Sequence, residues 1–295
     1  MILATSALSL ADIPRVGSKA AFIGEMRRMG IHTSPGVALT SDVYTKYLAS
    51  ISALDLVHNF WRPETTHDEA AELSKRISKL LNASPPISIS AEILAGLKES
   101  DIRDEQELIV RSSATCEDSA RVSFAGQFAS IKTHGTTADV ADALIRVWAS
   151  ATLPHVRRYL SETGQLGDDT KVDMSVLIQQ YIDCEIAGLF FTHHPTLDIT
   201  GWGLIECAPG GAEPLVAGSI LPWRARVNLD DHRTMIESGN FVDNPLTEQD
   251  LATLIDYGQT IYSRIGNHVD MEWGKPASGS PTVVAFQCRP MTVMP

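Results

Sequence analysis

Apolar residues recur along this chain with two different spacings. In the first half they stand three and four residues apart, which predicts amphipathic helices from Gly17 to about Met29, over 41–51 and over 68–81. From about residue 172 onward the apolar and polar positions alternate, as they do where successive side chains of a strand point to opposite faces. The chain therefore combines a helix-rich part with a strand-rich part.

The change of pattern falls near residue 180, and no flexible linker marks it. We predict an α+β fold of two subdomains, residues 1–180 and residues 181–295, with a cleft between them. The first is expected to mix helices with a sheet, and the second to be mostly antiparallel sheet.

A loop of small residues separates two predicted strands in the middle of the chain. Leu108 to Val110 is a short apolar run, and residues 127–133 alternate. The intervening loop carries several hydroxyl groups and ends in Gly126, which allows backbone to come close to a ligand. With Arg111 at its start, the loop has the composition of a phosphate cradle. A polar hairpin loop with a surface arginine explains the same residues equally well.

Lys19 falls in the first turn of the predicted helix that opens at Gly17. A cation there opposes the helix dipole, which makes sense if the lysine reaches a bound anion. An exposed lysine with no ligand is the alternative. The chain contains no G-x-x-x-x-G-K-[ST] motif, so a Walker-type phosphate loop is excluded.

Two alternating stretches near the C-terminus, 269–273 and 283–289, are predicted to be strands. The period of two puts Asp270 and Glu272 on one face of the first strand, and Ala285, Gln287 and Arg289 on one face of the second. If the strands pair as a hairpin, Glu272, Gln287 and Arg289 are expected to share a surface. Carboxylate and amide oxygens are hard ligands suited to Mg²⁺, and an arginine beside them can hold phosphoryl oxygens. A solvated hairpin face with a salt bridge is the alternative.

Charge and cysteine content narrow the classes of partner. The net charge of −12 repels nucleic acid and anionic membranes, so a bound nucleotide would need a local positive pocket and a divalent cation. The four cysteines form no C-x-x-C pair, which fits a reducing, cytoplasmic location. The N-terminus lacks the basic region of a signal peptide, and no apolar run is long enough to span a membrane.

The central loop also resembles a known family. RSSATCEDSARVSFAGQ resembles a segment of the nucleotide-binding domain of phosphoenolpyruvate synthase, pyruvate phosphate dikinase and rifampicin phosphotransferase. Further resemblances follow in the family's order: VGSKAAFIGEMRRMGI, SPGVALTSDVY, MSVLIQQYI with AGLFFTHHP, IECAPGGAEPLVAG, and DMEW with AFQCRPMT. The resemblance implies an ATP-grasp fold, with ATP held between the two subdomains.

The resemblance also implies roles for individual residues at the phosphate end. Lys19 and Arg111 are expected to contact the ATP phosphates. The backbone of Ala125 and Gly126, with Gln127 beside it, is expected to close over them.

Other residues are implied to act around the nucleotide. Gln179 is expected at the adenine-side hinge, although a glutamine at a strand end is by itself unremarkable. Glu272 and Gln287 are expected to hold Mg²⁺, and Arg289 to assist phosphoryl transfer. His194 departs from the family pattern, which often has an acidic residue before the proline at this place.

The implied function is that of a dikinase-type phosphotransferase, which converts ATP to AMP and phosphate. Family enzymes continue into a swivelling domain with a phosphorylatable histidine, and no G-G-x-x-[ST]-H motif occurs in this chain. The phosphoryl acceptor is therefore expected to be a histidine on a separate protein or a small molecule. An ATP-grasp ligase that forms an acyl phosphate and releases ADP, and a non-catalytic nucleotide-binding module, are the alternatives.

Overall fold

The computed structural model describes residues 1–100, 102–103, 106–115, 118–119, 122–123, 127–164, 166–167, 170, 172–211, 215, 218–238, 245–277 and 282–291. Within this part of the chain, no helix is both long enough and apolar enough to cross a membrane.

The chain divides into two compact units. The first unit contains Met1–Ala21 and Pro35–Tyr181, and the second contains Phe22–Ser34 and Ile182–Pro295. Each unit has its own main sheet with helices, which confirms the predicted α+β class. The early segment 22–34 lies in the second unit, an assignment that its helical pattern does not reveal.

In its described residues the first unit contains a five-stranded sheet and seven α-helices, the first of which continues into the second unit. Its strands are β1 (Ile2–Ala4), β2 (Gly36–Leu39), β3 (Glu107–Ala114), the short β4 (Asp118–Ser119) and β5 (Val122–Ser123), β6 (Ser130–His134) and β7 (Met174–Gln180). Its helices are α1 (Ile13–Arg28), α2 (Ser41–Ser50), α3 (Leu54–Trp61), α4 (His67–Ala83), α5 (Ile87–Glu99), α6 (Thr137–Ser150) and α7 (Pro154–Glu162).

The main sheet of the first unit has the order β1-β2-β7-β3-β6, and every neighbouring pair is antiparallel. Its central strands β7 and β3 are almost entirely buried, because apolar side chains of α2 to α6 pack against them in one continuous core. Burial of this apolar surface is the main driving force for folding of the unit. The core also holds a buried arginine, Arg157 of α7, which donates to the backbone carbonyl oxygens of Phe60 and Arg62 at 2.8 Å each.

The second unit has a six-stranded sheet and a long helix. Its elements are β8 (Cys184–Phe191), β9 (Trp202–Pro209), β10 (Trp223–Asn228), β11 (Thr234–Ser238), α8 (Glu248–Ile265), β12 (Val269–Pro276) and β13 (Val284–Pro290). The strand order is β11-β10-β9-β8-β12-β13, with antiparallel pairing throughout.

Local sequence explains where α8 begins and ends. Thr247 and Asp250 form a reciprocal capping box at its start, and Gly266 takes the left-handed conformation at its end with φ 75°. Gly258 lies against Phe190 of β8 so closely that a Cβ would come within 2.6 Å of the ring. The helix therefore covers the face of the sheet to which Phe190 points.

Candidate functional site

The segment around Lys19 is attached to the end of β3 in the first unit. α1 is interrupted at Gly17, whose φ of 74° and ψ of 169° are not helical, so the helix restarts after this residue. A Cβ on Gly17 would lie 1.9 Å from the carbonyl oxygen of Ser113, which excludes every other residue type at this backbone position. After the restart, Lys19 extends its ammonium group to the Ser112 hydroxyl, with 3.3 Å between Nζ and Oγ.

Ser113 fastens this segment from both sides. Its hydroxyl donates to the carbonyl oxygen of Val16 at 2.6 Å and accepts from the backbone N–H of Ala20 at 3.1 Å. Ser175 of β7 in turn donates to the Ser113 carbonyl oxygen. Both hydrogen bonds of the Ser113 hydroxyl are thus made with backbone groups, and Ser113 is completely buried. At least one of the hydroxyl groups from which a phosphate cradle was predicted therefore has a structural role.

Arg111 and Gln179 share one face of the first sheet. Gln179 stands directly opposite Ile109, and Arg111 follows Ile109 by two residues, so all three side chains leave the same face. Gln179 is 1% exposed, whereas Arg111 is half-buried. On its other side Gln179 is paired with Gly36, where a Cβ would lie 2.9 Å from the Gln179 Cα.

Gln127, Ala125 and Gly126 are the other residues predicted at the phosphate end. Gln127 is half-buried in a turn, and its carbonyl oxygen lies 3.4 Å from Nε2 of His155. Ala125 and Gly126 lie outside the described residues. The alternation from 127 to 133 predicts a longer strand than the structure contains, because β6 begins only at Ser130.

The C-terminal hairpin brings the predicted metal-binding residues together in the second unit. β12 pairs with β13 so that Glu272 stands opposite Gln287 and Asp270 stands opposite Arg289. Directly opposed residues of antiparallel strands project from the same face, so all four side chains belong to one surface. These side chains are half-buried, while Met271 and Cys288 between them are buried on the other face.

The prediction that Ala285 shares this face is wrong. A register shift after Glu272 pairs Trp273 with Ala285 and leaves Phe286 as an additional residue. Trp273 and Ala285 are both fully buried, on the face opposite to Glu272. A strict period of two cannot foresee such a bulge.

Arg289 is held by a carboxylate that the sequence analysis did not include among the site residues. Its Nε lies 2.9 and 2.7 Å from the two carboxylate oxygens of Asp270, and its Nη2 lies 2.7 Å from Oδ2. Charge-assisted bonds to two nitrogens of one guanidinium fix its plane as well as its position. The alternation that places Asp270 on the face of Glu272 was the available signal.

The same face continues across the sheet beyond the hairpin. A row of directly opposed residues crosses the sheet from Glu272. It passes through Leu189 of β8 and Glu206 of β9 to Arg224 of β10. Arg224 and Glu206 form an ion pair at 2.6 Å. We call the surface formed by Glu206, Arg224, Asp270, Glu272, Gln287 and Arg289 the polar sheet face.

The donor set at the hairpin suits Mg²⁺. Glu272 and Gln287 offer one carboxylate and one amide oxygen in adjacent positions. Among the described residues, no group of three or more His, Cys, Asp and Glu side chains is arranged to hold a metal ion. Mg²⁺ commonly takes only one or two carboxylates from the protein and completes its coordination with water and substrate phosphates, so a small donor set fits it.

His194 performs the structural task of an acidic side chain. Its Nδ1 accepts from the backbone N–H groups of Thr196 at 3.3 Å and Leu197 at 3.2 Å, which requires a neutral ring with the proton on Nε2. Asn228 makes the same pair of contacts to residues two and three positions further on. Burial lowers the pKa of His194, and Glu237, 3.8 Å from Nε2, opposes that shift.

Comparison with known proteins gives a family match. The model of the pyruvate phosphate dikinase AMP/ATP-binding domain matches residues 13–243. Together with the two-unit α+β architecture, this match supports the predicted ATP-grasp fold.

The chain is similar to several proteins that are longer than it is. A probable phosphoenolpyruvate synthase of Methanothermobacter thermautotrophicus is 28% identical, over 96% of this chain and 45% of its own length. A probable phosphoenolpyruvate synthase of Methanocaldococcus jannaschii is 28% identical, over 97% of this chain and 26% of its own length. A rifampicin phosphotransferase of Streptomyces sp is 26% identical over 96% and 35%. The chain thus spans less than half the length of each of these relatives.

Proposed function

Because this chain belongs to the family of the pyruvate phosphate dikinase AMP/ATP-binding domain, we propose that it binds ATP and catalyses phosphoryl transfer from it. In this proposal the reaction is of the dikinase type, with AMP and phosphate as products. The relatives named phosphoenolpyruvate synthase and rifampicin phosphotransferase support a phosphotransferase. The observation that carries the proposal is the pairing of the two hairpin strands in the second unit. It places Arg289 on the same face as the opposed residues Glu272 and Gln287, two positions along the strand from Gln287.

The residues of the first unit have a binding role in this proposal. Lys19 and Arg111 supply positive charge to the phosphates of ATP, in a chain whose overall charge of −12 repels a polyanion. Ala125, Gly126 and Gln127 cover the phosphates, and Gln179 hydrogen-bonds the adenine. The Gly17–Ser113 contact supports the role of Lys19, because it restricts where the ammonium group can reach.

The residues of the second unit act on the transferring group. Phosphoryl transfer depends on positioning and on neutralising charge more than on a covalent group of the enzyme. A guanidinium held in one plane by Asp270 offers its donors to phosphoryl oxygens with little further loss of side-chain freedom. Glu272 and Gln287 would hold Mg²⁺, which would neutralise phosphate charge when bound.

The proposed ATP-binding residues can serve two kinds of phosphoryl acceptor. No nucleophile of this chain is assigned, so the phosphoryl group passes either to a histidine of a separate protein or to a small molecule. Both acceptors are compatible with the same ATP-binding residues, because these residues act on the phosphoryl donor.

The test is to incubate the purified protein with ATP, Mg²⁺ and candidate acceptors and to separate the nucleotide products by ion-exchange chromatography. The expected products are AMP and inorganic phosphate, together with a phosphorylated acceptor. ADP as the sole nucleotide product would contradict the dikinase reaction and favour an acyl phosphate-forming ligase. Tight ATP binding without turnover would favour a nucleotide-binding module.

Glu272→Gln isolates the metal-binding part of the proposal. The substitution preserves size and hydrogen-bonding capacity but removes the charge that favours a hard cation. We expect the Mg²⁺ concentration that is needed for ATP binding to rise at least tenfold. Glu237→Gln is the matched control, because Glu237 lies on the edge strand β11, separated from β12 by three strands, and pairs with Arg226; it should leave the Mg²⁺ requirement unchanged.

A further inference from the structure

A cavity of about 370 Å³ opens in the first unit between α2, α3 and the residues that precede β7. Its volume is within the range of small-molecule sites in proteins, roughly 300–1,000 Å³. Leu48, Val57 and Val172 supply buried apolar wall. Of the residues expected to bind ATP, none of those that the structure describes lines this cavity, so it is separate from their site.

Two buried hydrogen-bonding groups in the lining have no partner within the described part of the chain. They are the hydroxyl of Tyr44, a residue that is 2% exposed, and the indole Nε1 of Trp61, which is 4% exposed. Buried polar groups are almost always satisfied, since an unsatisfied one retains the cost of desolvation. Two such groups in the wall of one cavity give a bound molecule two hydrogen-bonding partners there.

The charged residues of the lining define the chemistry of that ligand. Arg62 directly follows Trp61 in the chain and is exposed, so the lining carries a positive charge. Burial raises the pKa of Tyr44 above the ordinary tyrosine range, and the charge of Asp173, which also lines the cavity, adds to this shift. The phenol therefore keeps its proton and can donate.

The basic and the acidic residues of the lining favour different groups on a ligand. A carboxylate suits Arg62 and the Trp61 indole N–H, because both offer donors and Arg62 offers charge. Asp173 would repel a second carboxylate. A hydroxyl group suits Tyr44 and Asp173, since it can accept from the Tyr44 hydroxyl and donate to Asp173.

We propose that this cavity binds a hydroxylated aromatic carboxylic acid. The flat apolar body lies between Leu48, Val57 and Val172, the carboxylate is near Trp61 and Arg62, and the hydroxyl group is near Tyr44 and Asp173. The site is distinct from ATP binding and does not depend on the proposed phosphotransferase activity.

The test uses three probes on the full chain: 6-hydroxy-2-naphthoate, 2-naphthoate without the hydroxyl group, and 2-naphthol without the carboxylate. Binding is followed by the indole N–H signals of the five tryptophans in a ¹H–¹⁵N spectrum, with Trp61 identified by its loss in Trp61→Phe. We expect 6-hydroxy-2-naphthoate to shift the Trp61 signal saturably and to bind about threefold to tenfold more tightly than either partial probe, as one additional hydrogen bond predicts.

Tyr44→Phe and Tyr47→Phe form a matched pair of variants. Both tyrosines pack against the ring of Trp148, with centroid distances of 5.7 and 4.8 Å, but the Tyr47 hydroxyl already donates to the carbonyl oxygen of Ser84. Tyr44→Phe should weaken 6-hydroxy-2-naphthoate about threefold to tenfold, to the affinity of 2-naphthoate, without loss of stability. Tyr47→Phe should lower stability and leave the affinity unchanged.

Two results would overturn the proposal. One is the absence of a saturable shift of the Trp61 signal with all three probes. The other is an equal affinity of wild type and Tyr44→Phe for 6-hydroxy-2-naphthoate, because the orphaned hydroxyl would then have no part in binding. Arg62→Ala, which changes an exposed residue and preserves folding, should weaken the two carboxylate probes and spare 2-naphthol.

Discussion

The two units position their cationic groups in different ways. In the first unit, Lys19 is placed by contacts of the backbone: a positive φ at Gly17, its close approach to the Ser113 carbonyl, and the two hydrogen bonds of the Ser113 hydroxyl with backbone groups. In the second unit, Arg289 is placed by strand register and by the carboxylate of Asp270. Backbone contacts are part of the fold itself, whereas a half-buried ion pair can be removed while the strands remain paired.

Because of this difference, the effect of a substitution on the stability of the protein can be separated from its effect on activity. A change that disturbs the Lys19 segment must also disturb the packing of α1 on β3, because the same atoms serve both. A change at Arg289 or Asp270 should alter the polar sheet face and leave the core intact. The following substitutions test that separation.

The largest effect is expected from Gly17→Ala. The new methyl group would lie 1.9 Å from the Ser113 carbonyl oxygen, so α1 or β3 must move, and the free energy of unfolding should fall by more than about 3 kcal/mol. Gly30→Ala is the control: its φ is 80°, but apart from its chain neighbours no described residue has an atom within 4 Å of the added Cβ, and a loss of only about 1 kcal/mol is expected. Urea unfolding measures both, and equal losses would show that the Ser113 contact is unimportant.

Arg289→Ala should slow phosphoryl transfer about 100-fold, or by about 2.7 kcal/mol in the activation barrier, and should change the free energy of unfolding by less than about 1 kcal/mol. The rate of AMP formation and urea unfolding provide the two measurements. Arg233→Ala removes a similar arginine of the same unit, which pairs with Asp231 at 2.6 Å in an exposed turn. If both variants kept the wild-type rate, the hairpin would have no role in transfer.

Asp270→Asn should have a smaller effect. The amide keeps the volume of the carboxylate but loses the charge that holds the guanidinium of Arg289 in its plane. We expect kcat to fall about tenfold, about 1.4 kcal/mol, with little change in KM for ATP, because Asp270 acts by positioning. An increase of KM alone would instead indicate that Asp270 contributes to ATP binding.

The smallest effect concerns pH and the turn at His194. Since burial lowers the pKa of this histidine, the unfolded chain binds the proton more readily than the folded chain below pH about 6.5. The stabilisation is complete above that pH and is lost as the pH falls toward the folded-state pKa, by about 1 kcal/mol or less between pH 7 and pH 5.

His194→Asn should keep the turn and remove this part of the pH dependence. An asparagine oxygen can accept the same two backbone N–H groups, as Asn228 does elsewhere in the unit. Urea unfolding of both proteins at pH 5 and pH 7 gives the difference. A slope that is identical in the two proteins would show that His194 does not titrate in this range.

Much of the fold could be predicted because the spacing of apolar residues indicates which face of a helix or strand is buried. The helices predicted over 41–51 and 68–81, which the structure has at Ser41–Ser50 and His67–Ala83, and the strands of the C-terminal hairpin follow this rule. The pattern failed at the bulge after Ala285, where the additional residue Phe286 reverses the alternation. It also could not show that residues 22–34 belong to the second unit, since this depends on contacts distant in sequence, such as Glu25 with Arg264 at 2.9 Å.

The candidate site was predictable only in part, for a related reason. Residue types and resemblance select Lys19, Arg111, Glu272, Gln287 and Arg289, and their roles stay predictions. Pairwise contacts such as that of Asp270 with Arg289 depend on register, which a single sequence does not specify when strand lengths are uncertain. The unsatisfied Tyr44 hydroxyl is likewise invisible without coordinates.

The ion pair at the end of the hairpin has a consequence for selectivity. Any anion that approaches Arg289 also meets the charges of Asp270 and Glu272, so simple anions such as chloride gain little there. An anion that arrives with its own divalent cation brings a counter-charge for those carboxylates. The surface should therefore discriminate between a free nucleotide and its metal complex, and reject the free form without any steric barrier.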